Sequence, residues 1–425
     1  MNAGLIVILA LLGLSFLGIP IYLALGIGTL VALNVADMPL IVLPQKLFAG
    51  MNSSSLLAIP FFMLAGNIMS RSITGKLIDV SNALIGWIKG SLAVVTVLAS
   101  ALFGAISGSG VATASAVGGT TIPAMKEEGY PSHFAAAVSG IASILGPIIP
   151  PSITLIVYAS ITDLSVSKLF VGSVIPGILL SGGLIIYALF YGRKHDLPAH
   201  ARKKPKEILW TFKDGIWALL MPVIILGGIF GGIFTPTESA AVAVVYSLIV
   251  SLFIYKDMKF KEIFSVFVEG AIGTATILML VGLSKASSYI VTTSGLPQQV
   301  LEGFSALTSS KVVILLLLNL LFFIIGMLME ANAAIIMMTP ILMPLLSAFG
   351  IDLLQFGILM SFNLCIGLVT PPVGICILMT NQIAKASFVQ TLKSILPMLL
   401  ISILVLMLVT FIPQFTLWLP SLLQQ

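Results

Sequence analysis

Apolar residues run in long blocks along almost the whole chain, separated by short polar segments. A helix needs about 20 residues to cross a hydrocarbon core of about 30 Å at 1.5 Å per residue, so roughly 250 apolar residues predict around a dozen segments. That pattern predicts an all-α polytopic membrane protein. The first block, Leu5 to about Leu33, follows no basic segment and is too long for a cleaved leader. It is expected to be a first span kinked at Pro20.

Composition sharpens this picture. Of 425 residues, 59% are apolar and 8% charged, and the mean hydropathy is +1.17. A water-facing surface cannot be built from so few charges, which excludes nucleic-acid binding, an appended soluble enzyme and a single-anchor receptor. The net charge of +5 matters less than its distribution. Seven basic residues (Arg193, Lys194, Arg202, Lys203, Lys204, Lys206, Lys213) cluster in a central loop, 193–214, which the positive-inside rule makes cytoplasmic. Smaller basic groups at 71–89, 256–261 and 385–393 also read as inside. No Lys or Arg occurs before Lys46 or after Lys393, so both termini read as outside. His195 and His200 in the central loop and His133 after KEEGYPS read as ordinary polar residues. Cys365 and Cys376 have neither metal nor redox spacing and read as packing residues.

Outside termini and an inside loop require an odd number of crossings in each half, the condition for inverted-topology repeats. Two segments match across the loop. GPIIPPSITLIVY places Gly146 four residues before Pro150 and Pro151, and GLVTPPVGICILM places Gly367 four residues before Pro371 and Pro372. Upstream lie two segments broken by small or polar residues, FGAISGSGVATASAVGGTTIPAM from Phe103 and IGMLMEANAAIIMMTPILM from Ile325. Corresponding residues are offset by 217 to 222 positions (Pro123 and Pro340, Gly104 and Gly326). The expected organisation is therefore a first repeat over 1–192, the basic linker, and a second repeat over 215–425. Each repeat holds scaffold helices, a re-entrant hairpin (about 90–125 and 312–350) and a broken helix (about 134–160 and 355–380).

Two adjacent prolines remove two backbone donors, so a membrane helix must unwind there. Non-helical backbone at membrane depth survives only where protein or a polar cavity satisfies it, which marks such breaks as ion or substrate sites. In the first hairpin, Ser107, Gly108, Ser109 and Gly110 form the expected tip. The helix that follows would point its positive end at a carboxylate. Ser107, Ser109 and Ser152 are the candidate substrate-binding hydroxyls. Glu330 is the only acid between Glu302 and Asp352, and a carboxylate inside a membrane segment is either functional or a helix cap at a wet tip. Asn332 goes with it. In GGIFTPTESAAVAVVYSL, Thr237 is the expected cap, with Pro236 at the helix start and Glu238 near its positive end.

At these residues the sequence resembles the large membrane subunit of tripartite ATP-independent periplasmic (TRAP) transporters. GIFTPTESAAVA is similar to that family's G-x-(F/Y)-TPTE-A-A-A signature, with Ser239 departing at one small position. MNSSSLLAIPFFMLAGNIM, SGSGVATASAVG, GPIIPPS, Met-Glu-Ala-Asn followed by TPILMPLL, and GLVTPPVG are similar to family segments in the same order. The resemblance implies a non-enzymatic secondary transporter of the bacterial inner membrane, with Na⁺ as coupling ion and no other cofactor. It implies an organic acid delivered by a periplasmic substrate-binding protein, a separate small four-helix membrane subunit, and an elevator-type transport domain moving against a scaffold. Matching family positions for backbone-built Na⁺ sites are Gly104, Ser107, Gly146, Ile149 and Pro151 in one half, and Gly326, Gly367, Thr370 and Val373 in the other. A sialic acid or related sugar acid is weakly preferred as substrate, a C4-dicarboxylate next. The rival reading is a stand-alone Na⁺/dicarboxylate symporter of the wider ion-transporter superfamily.

Overall fold

The structure, a computed structural model, describes residues 2–199 and 204–422, all helical or connecting. His200, Arg202 and Lys203 of the central loop lie outside the described residues. Among the described residues, eight helices are long and apolar enough to cross a membrane, or nine if the pair Val42–Met51 and Ser54–Ser72, bent by 61°, counts as one span. The dozen expected from composition overstates this because several apolar segments are too short to cross singly.

The N-terminal block departs from expectation. Instead of one span kinked at Pro20, it forms two helices, Ala3–Phe16 and Ile21–Val35, that fold back on each other. Gly18 adopts φ +84°, which favours glycine, and Pro20 caps the second helix. A Cβ on Gly28 would lie 2.9 Å from that of Ala10, so glycine permits the close antiparallel contact. Helices of 14 and 15 residues reach only about 22 Å, short of the hydrocarbon thickness.

The first hairpin has arms Ser91–Ser107 and Gly110–Glu127 that pack along each other. The second has arms Lys311–Leu328 and Ala331–Ala348 that touch little beyond the tip. The first broken helix runs Ser132–Ser143 and Leu145–Ile148, unwinds, and resumes over Ile153–Thr162; the second runs Leu353–Gly367 and resumes over Ile375–Ala384. Their second pieces are exchanged. Ile375–Ala384 packs on the first hairpin and first broken helix, and Ile153–Thr162 packs on the second hairpin and second broken helix. The contacts are close: a Cβ on Gly140 would sit 2.9 Å from the Ile377 side chain, and the Tyr158 hydroxyl donates to the Leu353 carbonyl at 2.8 Å. Cys365 and Cys376 are buried, unpaired packing residues in this body.

Around it stand the N-terminal pair, the bent pair and a 34-residue helix, Phe260–Thr293, the longest of the fold. The helices after the central loop are Pro205–Phe230 and Pro236–Ile249. The first begins inside the segment expected to be linker, because Pro205 suits a helix start and the Glu207 carboxylate accepts from the Lys204 amide at 3.1 Å. Thr235, not Thr237, caps the second: its hydroxyl accepts from the Glu238 amide while the Glu238 carboxylate accepts from Thr235. Thr237 instead donates to the Ser54 carbonyl at 3.2 Å, and buried Ser239 donates to the Ile225 carbonyl at 3.1 Å. The TPTES segment thus braces neighbouring elements. Among the described residues there are three ion pairs, Arg71–Glu269, Lys76–Asp214 and Lys89–Asp196, all beside the basic segments read as inside. His133 contacts Ser394, and His195 stacks on Tyr191.

Candidate functional site

The prolines at each break leave carbonyls without helical donors. Residue 151 would normally donate to the carbonyl of residue 147, but Pro151 has no N–H; the buried Ser152 hydroxyl donates to the Pro147 carbonyl instead. The same oxygen accepts from the Leu155 amide and so caps the resumed helix. In the second half Pro372 deprives the Leu368 carbonyl, which accepts from the Cys376 amide across the break at 3.0 Å. Pro150 and Pro371 likewise remove the regular donors to Gly146 and Gly367, and the Gly367 carbonyl accepts a tighter bond from Thr370 at 3.1 Å.

Each hairpin meets its broken helix through a glycine pair. A Cβ on Gly104 would fall 2.7 Å from the Gly146 Cα, and a Cβ on Gly367 would collide with the Gly326 backbone. Gly146 is further closed in by the Ser109 carbonyl and the Thr113 hydroxyl, each 2.7 Å from the position of its missing Cβ. Gly108, at φ +62°, turns the first tip against the Pro151 carbonyl. Glycine is required there both for backbone angle and for space.

Both tips open on a cavity of about 600 Å³. Gly110, Ile153, Ala331 and Ile375 line it, and each is the first residue of a helix of ten or more residues. Four helix N-termini therefore converge on one space; the Glu330 carboxylate caps the one at Ala331, and the other three present positive ends that favour an anion. Ser109, Thr154, Glu330 and Asn332 add polar side chains. Glu330 caps the second arm: its carboxylate accepts from the Ala333 amide at 3.1 Å and the Asn332 side-chain amide at 2.7 Å. The Asn332 Oδ1 is buried without a partner. Beside it lies a cavity of about 140 Å³ lined by Gly326, Gly367, Val373 and Glu330.

The expected residues therefore divide. Ser109, Glu330 and Asn332 line the larger cavity, whereas Ser152 is turned into the break and does not. Gly104, Ser107, Gly146 and Pro151 surround the first tip; the Ser107 hydroxyl lies 3.4 Å from that of Thr113. The Ile149 side chain packs toward Gly177, leaving only its backbone at the break. Gly326, Gly367 and Val373 meet at the smaller cavity, while the Thr370 hydroxyl donates back to the Ile366 carbonyl at 2.8 Å. The opposite wall was not expected from the sequence. It comes from Pro20, Tyr22 and Met63 and from Gly273, Thr276 and Ile277 of the long helix. The small residues of Gly-Thr-Ala-Thr at 273–276 were the one available signal.

Comparison with known proteins identifies the family. Residues 6–415 match the family model described as tripartite ATP-independent periplasmic transporter, DctM component. The chain is 41% identical to the C4-dicarboxylate TRAP transporter large permease protein DctM of Pseudomonas aeruginosa, over 88% of each chain. It is 35% identical to the 2,3-diketo-L-gulonate TRAP transporter large permease protein YiaN of Escherichia coli, over 95% of this chain and 96% of the other. The sialic acid TRAP transporter permease protein SiaT of Haemophilus influenzae is 32% identical over 98% of this chain and 68% of its own length. The crystal structure of the Alcanivorax borkumensis YdaH transporter shares the fold, with a TM-score of 0.59 at 16% identity, covering 90% of this chain and 87% of that one. The chain belongs to the DctM family, the large permease component of TRAP transporters, and is a membrane transport protein, not an enzyme.

Proposed function

We propose that this protein imports an organic acid across the bacterial inner membrane by Na⁺ symport, accepting it from a periplasmic binding protein and working with a small membrane subunit. The observation that carries this reading is the convergence of four helix N-termini on the cavity between the hairpin tips. A carboxylate there is stabilised by positive helix ends and by Ser109 and Thr154.

Glu330 suits the cation rather than the substrate, since two carboxylates at one spot repel. It borders the smaller cavity together with Gly326, Gly367 and Val373, where unwound backbone offers the oxygen ligands a hard cation prefers. Gly104, Ser107, Gly146, Ile149 and Pro151 form the corresponding position at the first tip. The matched glycine pairs and the exchange of the resumed helices support an inverted repeat. The body built from hairpins and broken helices is the moving part in this reading. The long helix, the bent pair and the N-terminal pair are the scaffold, with the Phe260 end of the long helix inside and the Thr293 end outside.

For the substrate, the 41% identity to a relative named for C4-dicarboxylates, against 32% to one named for sialic acid, supports a C4-dicarboxylate, with a sialic or related sugar acid next. The test is uptake into proteoliposomes holding this chain and the small subunit. Replacing Na⁺ by choline with the pH gradient kept should abolish uptake, and omitting the binding protein should do the same. Uptake unchanged by choline overturns sodium coupling, and uptake without a binding protein returns the reading to a stand-alone symporter.

A further inference from the structure

A second cavity, of about 620 Å³, lies farther along the interface that holds the first. The same three elements border both. The long helix contributes Gly273, Thr276, Ile277 and Leu280 to the first cavity and Val281, Ser284, Lys285, Ser288 and Thr292 to the second. The second arm of hairpin 311–348 contributes Ala331 and Asn332 to the first and Ile336 and Pro340 to the second; the resumed helix contributes Thr154, then Ser160 and Ile161. The step is about ten residues on the long helix, roughly 15 Å, and about seven on the other two elements, roughly 10 Å.

The two cavities differ in what the long helix offers. Its wall in the first is uncharged, whereas the second holds Lys285, exposed and, among the described residues, without an ion pair or hydrogen bond. The backbone beneath Lys285 is fixed by a close crossing: a Cβ on Gly50 would lie 2.7 Å from the Lys285 Cβ, and one on Gly282 2.9 Å from the Leu47 carbonyl. One residue before it, Ser284 lines the same cavity, is 2% exposed, and has an Oγ without a partner. The cavity's other charged group is Asp163, exposed at the end of the resumed helix.

We propose that Lys285, with Ser284 and Ser288, forms the scaffold half of the outer binding position for a carboxylate-bearing substrate. This rests on the reading given under Proposed function. When the hairpin body shifts by about 15 Å along the long helix, its four helix N-termini leave Thr276 and come to face Lys285. A substrate carboxylate then gains an ammonium partner, and loses it again at the inner position. The difference makes the site bind more tightly outside than inside, which favours release into the cytoplasm.

The test uses the complex in proteoliposomes and two readouts. Lys285→Gln should raise the external half-saturation concentration for substrate-loaded binding protein about tenfold, with Lys285→Arg within about twofold of wild type. Independently, S288C should react about tenfold faster with an anionic than with a cationic membrane-impermeant methanethiosulfonate, and adding Lys285→Gln should remove that preference. Both native cysteines are buried, so the reaction reports position 288. Unchanged half-saturation in Lys285→Gln overturns the proposal, and so does equal reactivity toward the two reagents. A wild-type complex that transports nothing instead refutes the broader reading, while the thiol measurement still reports the charge of the cavity.

Discussion

The two hairpin tips hold equivalent places at the cavity but carry opposite chemistry. The first is neutral: Gly108 ends one arm, Ser109 caps the next, and the helix end keeps its full positive character. The second is acidic: Glu330 occupies the cap and spends its carboxylate on the Ala333 amide and Asn332. A carboxylate on a helix N-terminus neutralises that end for any outside anion and leaves negative potential on its far side. Two similar tips therefore present different charge to one cavity, the basis of the division between substrate and cation proposed above. Matched glycines and prolines set both tips, and a single side chain, Glu330, separates their charge.

The severest way to break this comparison is to fill the glycine contacts. Gly367→Ala would drive a methyl group into the Gly326 backbone, and Gly146→Ala would press on the Ser109 carbonyl and Thr113 hydroxyl. Backbone cannot yield as a side chain can, so each change should cost at least the roughly 1–3 kcal/mol typical of overpacking and abolish uptake. Gly119→Ala, with open space around it, should retain uptake and gain stability of roughly 1 kcal/mol from helix propensity. Thermal unfolding of the purified complex, with uptake beside it, reads all three. Tolerance of either 146 or 367 alone would show that the halves do not depend equally on their contacts.

A sharper comparison substitutes the caps. Glu330→Gln keeps the shape and a cap acceptor but removes the charge, so the Na⁺ concentration for half-maximal uptake should rise by about tenfold or more. Ser109→Ala leaves that concentration unchanged and should raise the substrate half-saturation about fivefold, the loss of one hydroxyl contact of about 1 kcal/mol. If both variants alter the same parameter, the division of labour between the tips is wrong.

Much of this site was legible because proline and glycine act locally. Gly-x-x-x-Pro-Pro announces unwound backbone wherever it falls, and SGSG announces a turn, so both breaks and the first tip could be located without coordinates. Glu330 stood out because a lone acid in an apolar run has few uses. What stayed hidden depends on packing between distant segments. The wall formed by Tyr22, Met63 and Thr276 carries no local signature, since an apolar residue facing lipid and one facing a cavity are the same letter. Pro20 alone does not say whether a chain bends by tens of degrees or reverses; Gly18, two residues before it, decides the matter. Thr235 and Thr237 were interchangeable as caps in composition, and only the capping-box spacing to Glu238 separates them.

The breaks themselves differ in how they are stitched, which gives a smaller effect. In the first half a side chain replaces the missing donor to Pro147; in the second, the Cys376 backbone amide does the equivalent work for Leu368. Ser152→Ala should therefore leave the Pro147 carbonyl only the long 3.4 Å bond from the Thr154 hydroxyl, remove the cap on Leu155, and destabilise the complex by about 1–2 kcal/mol. Cys376→Ala removes no such bond and should cost less, only what the lost sulfur packing contributes. A larger shift in unfolding temperature for Cys376→Ala than for Ser152→Ala would reverse the assignment.

The smallest effect belongs at the base of the first hairpin. Gly90 packs against Gly192 and its amide donates to the Pro198 carbonyl, while Lys89 pairs with Asp196 across the same junction. The Lys89 ammonium, by hydrogen bonding first and charge second, holds the Asp196 carboxyl below its ordinary range. A depressed carboxyl stabilises the fold above its unfolded value of about 4 and loses that contribution as the pH falls through the lower folded value. Both side chains are exposed, so water and salt screen the pair. Lys89→Met should leave the unfolding temperature at pH 7 unchanged within error, and between pH 7 and 5 the two proteins should track each other. Gly90→Ala, which would press a methyl group on Gly192 at a left-handed position, should destabilise the same junction measurably. A substantial loss in Lys89→Met at low salt, erased at high salt, would show that charge rather than backbone packing anchors the hairpin.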